Sequence, residues 1–133
     1  MPTTTTYEFG DVVVVPFPLS DYSNLTKKRP AVVISSKEYN AEAVVLSATN
    51  LDLIVVMAIT SVEGGLAVLS IRKWRAAGLL HQSYIKPVIH TLTPDRVIDV
   101  LGKLQLSDKN QLKYHLLRLL NLTPSPSEPK QQP

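Results

Sequence analysis

The apolar residues in the first two thirds of the chain fall in short, β-branched runs, not at helical spacing. Val12 to Phe17 and Ala31 to Ser35 are bounded by Gly, Pro and Ser, the mark of strands buried on at least one face. A third run, Leu53 to Ile59, closes at Thr60-Ser61. Gly64-Gly65 then marks a tight turn, Leu66 to Ile71 another strand, and Ser83 to Ile89 a further one. Pro87 within that last run has no N–H for the ladder, so it calls for an edge or a bulge. Between Tyr39 and Asn50, Ala41 to Leu46 fits either a short helix or a strand.

The period changes after Leu92. Thr93 suits a helix cap, Pro94 a first helical position and Asp95 the positive end of the helix dipole. Val97, Ile98 and Leu101 follow at helical spacing before Gly102, which predicts a short helix. A second helix begins at Ser107-Asp108, where Leu112, Leu116, Leu119 and Leu120 form one stripe able to pack on the sheet or on a second subunit. Residues 123–133 carry too many prolines and too little apolar surface to fold. The expected class is mainly β with α, a small antiparallel barrel with helices at its C-terminal end. At 133 residues there is room for a single core, with 1–8 as a polar extension, 9–122 as the domain and 123–133 as a disordered tail.

Composition narrows the chemistry. There is no cysteine, which excludes disulfides and thiolate zinc sites, and His81, His90 and His115 show no metal-ligand spacing. No metal and no cofactor are expected. Met1 to Thr6 has neither the basic start nor the apolar stretch of a signal peptide, and Leu53 to Ile59 is too short to span a bilayer. A soluble cytoplasmic protein is the expectation. The formal charge is only +3, but no acidic residue lies between Glu63 and Asp95, where Arg72, Lys73, Arg75 and Lys86 are interleaved with Trp74, His81, Tyr84 and His90. Cations among aromatics suit single-stranded nucleic acid; the alternative is that Trp74 and Tyr84 fill the core while the charges face water.

A second cationic cluster, Lys27-Lys28-Arg29, stands at the start of the Ala31–Ser35 strand. An arginine held by a sheet can clamp an oxyanion through its fork of donors. Equally, the cluster can be a solvated tip that keeps an edge strand from aggregating.

The order of three features resembles the PemK/MazF toxins of type II toxin–antitoxin systems. They are Gly10-Asp11 with Arg29-Pro30-Ala31-Val32-Val33-Ile34-Ser35, then Ala58-Ile59-Thr60-Ser61, then Trp74-Arg75-Ala76-Ala77-Gly78-Leu79-Leu80 leading through Ser83 to Thr91-Leu92 and Leu101-Gly102-Lys103-Leu104. The resemblance covers about Phe9 to Leu122 and implies an SH3-like barrel with a C-terminal helix. It implies a metal-independent, sequence-specific endoribonuclease (mRNA interferase) that cuts single-stranded RNA by attack of the ribose 2′-hydroxyl, leaving a 2′,3′-cyclic phosphate and a 5′-hydroxyl. Arg29 and Thr60 match the family's catalytic pair, a guanidinium and a hydroxyl suited to the charge on a pentacoordinate phosphorus. Lys27, Lys28, Ser61, Arg72, Lys73, Arg75 and Lys86 are the RNA-binding candidates, and Ser61 could share the role of Thr60. No general base declares itself: Asp21 and Lys28 are open possibilities, and where some members carry an acid beside a basic late-strand residue, Lys86 is followed by Pro87-Val88-Ile89. The family's partners would be a second copy of the chain and a separate acidic antitoxin occupying the RNA groove. Two readings compete with this one. One is a non-catalytic module of the same fold that binds RNA or DNA, or inhibits a protein target as the gyrase-inhibitor relatives do. The other is an inactive relative. Asp11 is expected to be a turn residue bonded to backbone.

Overall fold

A computed structural model describes residues 6–18, 25–40, 53–65 and 67–122. Its strands are β1 (Asp11–Pro18), β2 (Thr26–Val33), β3 (Ile54–Thr60), β4 (Leu69–Ile71), β5 (Ser83–Leu92) and β6 (Asp99–Lys103), followed by the helix α1 (Leu106–Leu119). All six strands join one antiparallel sheet in the order β4-β5-β3-β2-β1-β6, curled into a half-barrel. The expectations for Asp21, for residues 41–50 and for the 123–133 tail lie outside the described residues.

The β-branched runs form the centre of the sheet because they bury side chains on both of its faces. On one face Val13, Val15, Phe17, Ala31, Val33, Ile54, Val56, Ala58 and Leu92 pack together inside the curl. On the other, Val12, Val32, Met57, Ile59, Ile71 and Ile85 meet Leu112 and Leu116 of α1. Twelve large side chains in these two layers are under 2 % exposed, enough buried apolar surface to hold the curvature of the sheet. Pro87 falls where the ladder tolerates it. Beyond Ile85 the strand β5 has left its pairing with β4, and its register against β3 shifts between Met57 and Ile59.

The C-terminal third differs from its periodicity. Only Pro94–Arg96 are helical, as a single 3₁₀ turn. Val97 then turns extended to pack on the inner cluster, the Ile98 N–H donates to the Val14 carbonyl at 2.8 Å, and 99–103 become an edge strand beside β1. The open edge of β1 offers more hydrogen bonds than a two-turn helix rich in β-branched residues can make for itself. The leucine stripe of α1 also divides. Leu112 and Leu116 are buried, whereas Leu119 and Leu120 are 43 % and 52 % exposed, beyond the rim of the sheet.

Candidate functional site

The strand β2 starts at Thr26, so Lys27, Lys28 and Arg29 already belong to the sheet, paired with Phe17, Pro16 and Val15 of β1. Thr60 closes β3, opposite Tyr84 of β5. These strand ends frame a cleft of about 460 Å³ whose polar lining includes Lys28, Arg29, Thr60, Ser61, His81 and Ser83. Its walls are apolar, from Val14, Ile59, Leu79, Leu80 and Leu101. Among the described residues, no Asp or Glu lines it.

The Thr60 hydroxyl is held in place. Its Oγ1 accepts the Val62 N–H at 3.1 Å, a turn made by the side chain, which leaves the hydroxyl hydrogen to be donated elsewhere. Arg29 is half-buried, and the ion pairs among the described residues, Lys103 with Glu8 and with Asp11, lie away from it. A guanidinium with no carboxylate partner, on a rigid strand beside an aimed hydroxyl, can meet an oxyanion without first breaking an internal bond.

The turn at 72–78 leads into the cleft wall at Gly78, Leu79 and Leu80, and it is pinned from two sides. The buried Asp108 carboxylate, in the first turn of α1, accepts the backbone N–H groups of Arg72 at 3.1 Å and Lys73 at 2.9 Å. At the far end Gly78 has φ +92°, and a Cβ there would stand 2.0 Å from the Leu101 carbonyl oxygen. Only glycine permits that backbone, and only glycine permits the approach.

Of the cations expected to bind RNA, Lys28 lines the cleft, and so does Ser61. Arg72, Lys73 and Arg75 are exposed on the outer side of the turn, Lys86 is half-buried on β5, and Lys27 is exposed on β2; none of these lines the cleft. Trp74 is neither wholly core nor a free stacking platform. It packs on the outer core cluster, and the Arg75 guanidinium sits 4.8 Å from its ring centre.

His81 joins the cleft, a place its sequence neighbours gave no reason to single out beyond the cationic and aromatic company around it. It follows Leu80 in the wall, and the Ser83 hydroxyl donates to its carbonyl at 2.7 Å, fixing its backbone. Asp11 is the expected turn residue: its Oδ2 accepts the Glu8 N–H at 3.0 Å. Burial pushes its carboxyl above the ordinary value, only partly offset by that bond and by Lys103. Among the described residues no three His, Asp or Glu side chains are placed to hold a metal ion together, and no helix is long and apolar enough to cross a membrane.

Comparison with known proteins follows the same lines. Residues 8–120 match the family described as PemK-like, MazF-like toxin of type II toxin–antitoxin system. Solved structures share the fold. An endoribonuclease in complex with its cognate antitoxin from a mycobacterial species superimposes with a TM-score of 0.62 at 18 % identity, covering 92 % of this chain and all of that one. A MazE–MazF structure from Deinococcus radiodurans gives a TM-score of 0.64 at 16 % identity, covering 90 % of this chain and all of that one. No curated protein matches by sequence.

Proposed function

Since this chain belongs to the PemK-like, MazF-like toxin family, we propose that it is a metal-independent, sequence-specific endoribonuclease that cuts single-stranded RNA, mRNA among it. The observation that carries the reading is the meeting of Arg29 and Thr60 in one cleft, the guanidinium without a carboxylate partner among the described residues and the hydroxyl aimed by Val62. The substrate supplies the nucleophile, its own 2′-hydroxyl. As O2′ bonds to phosphorus, charge gathers on the nonbridging oxygens, where the Arg29 fork and the Thr60 O–H donate. Both groups stand on sheet, so little reorganisation is needed when that charge appears. Lys28 adds a point charge at the cleft mouth, and Ser61 a second hydroxyl.

The same reading makes the protein a cytoplasmic toxin, active as a homodimer and silenced by a separate acidic antitoxin. Its basic cleft, with no carboxylate among the described lining residues, would attract an acidic segment as well as RNA. The exposed apolar residues of α1, among them Tyr114, Leu117 and Leu119, are available to a second copy. The test is incubation of the purified chain with a long, defined single-stranded RNA in EDTA, with chemical mapping of the new ends. Cuts at one short sequence leaving 5′-hydroxyl ends are expected. Binding without new ends would favour the non-catalytic module.

A further inference from the structure

Cleavage by the 2′-hydroxyl needs a group to take its proton, and neither Arg29 nor Thr60 is suited to that task. We propose that His81 is the general base of the cleft, an inference that rests on the endoribonuclease reading above. The lining identifies it by its chemistry. Among the described lining residues, Lys28 and Arg29 are cations with no lone pair to offer near neutrality, Thr60 and Ser61 are neutral hydroxyls, and there is no carboxylate. Among these described residues the imidazole is the group whose ordinary chemistry both takes up and releases a proton in the physiological range.

Its placement suits the role. His81 lines the same cleft as Arg29 and Thr60, and its carbonyl accepts the Ser83 hydroxyl at 2.7 Å, which fixes its backbone. The side chain itself is exposed, so it can reach a ribose at the cleft mouth. The charged groups lining the cleft with it are Lys28 and Arg29, both from β2. Lys86 carries no acid beside it on β5, so this cleft takes its proton acceptor from the turn and not from the late strand.

The step balances without a co-reactant. The O2′–H proton passes to the imidazole as the O2′–P bond forms, the P–O5′ bond breaks, and O5′ takes a proton from water. The imidazolium then returns its proton to solvent.

The experiment is the pH dependence of single-turnover RNA cleavage by the wild type, His81→Asn and His81→Ala, with added imidazole as rescue. The expected result is a rate for both variants lower by roughly 10²–10⁴-fold. The rise of rate with pH on the acidic limb should be lost, RNA binding should be little changed, and free imidazole should restore part of the rate to His81→Ala. Because His81 is exposed, both variants should melt with the wild type. Equal rates with the same pH profile in wild type and variants would overturn the role of His81 alone. A slower rate that keeps the wild-type profile and ignores imidazole would also overturn it. A wild type that makes no new ends would overturn the endoribonuclease reading, and this proposal with it.

Discussion

Replacing Asp108 by Ala removes a side chain that hydrogen-bonds the helix α1 to the turn leading into the cleft wall. Its carboxylate is 4 % exposed and accepts two backbone N–H groups, at 3.1 and 2.9 Å. A hydrogen bond to a charged group contributes about 1.5–3 kcal/mol. Arg72 and Lys73 are exposed, so their freed N–H groups regain some water and the low end applies, about 3 kcal/mol for the pair. Loss of a carboxylate from the first turn of the helix adds a few tenths of a kcal/mol. At about 3–4 °C per kcal/mol for a domain of this size, Asp108→Ala should melt roughly 10 °C lower. Asp108→Asn, which keeps one good acceptor, should fall between it and the wild type. Thermal and urea denaturation followed by circular dichroism measure both. A melting point for Asp108→Ala within about 2 °C of the wild type would refute the reasoning.

Gly78→Ala should cost more than the ~1 kcal/mol of a left-handed backbone, because its Cβ would overlap the Leu101 carbonyl oxygen at 2.0 Å; poor recovery of folded protein on expression is the expected sign. Thr60→Val should leave the fold intact but slow cleavage roughly 10²-fold, while Thr60→Ser keeps most of the rate, both read on a defined RNA. The Asp11 carboxyl, raised above its ordinary value of 3.8 by burial, binds its proton more tightly in the folded chain than in the unfolded one. Its contribution to stability is therefore full below that ordinary value and is lost as pH rises through the folded value; urea melts of Asp11→Asn should lack this decline. Glu8, lowered by its hydrogen bond to Lys103, acts with the opposite sign: its contribution is present above its ordinary value of 4.5 and is lost as pH falls through the folded value.

The parts of the fold that depend on local pattern were legible in the sequence. The runs at Val12–Phe17, Ala31–Ser35 and Leu53–Ile59 fall on β1, the end of β2 and β3, because β-branched runs between turn residues have few other uses, though β2 starts at Thr26 and stops at Val33; Pro87 marks the stretch where β5 loses one neighbour. The predicted helix at 94–101 failed on a long-range partner. Its spacing satisfies a helix, but the unpaired edge of β1 drew 99–103 into the sheet, and nothing local records that edge. The leucine stripe misled at its end for a similar reason, since Leu119 and Leu120 continue the period past the sheet that would cover them. At the site, Arg29 and Thr60 could be named from motif and order, yet their meeting depends on strand pairing. His81 reaches the same cleft only through the pinned turn, which the Gly78 and Asp108 contacts define and the spacing of residues does not.

The most direct test of the central claim is the rate of RNA cleavage by Arg29→Ala beside the wild type, in EDTA, with both proteins shown to melt alike. Removal of the donor that faces the developing phosphate charge should slow cutting roughly 10²–10³-fold while the cleaved sequence and the 5′-hydroxyl ends of any residual product stay the same. Cutting by Arg29→Ala at the wild-type rate would contradict the assignment of this cleft as the place where RNA is broken.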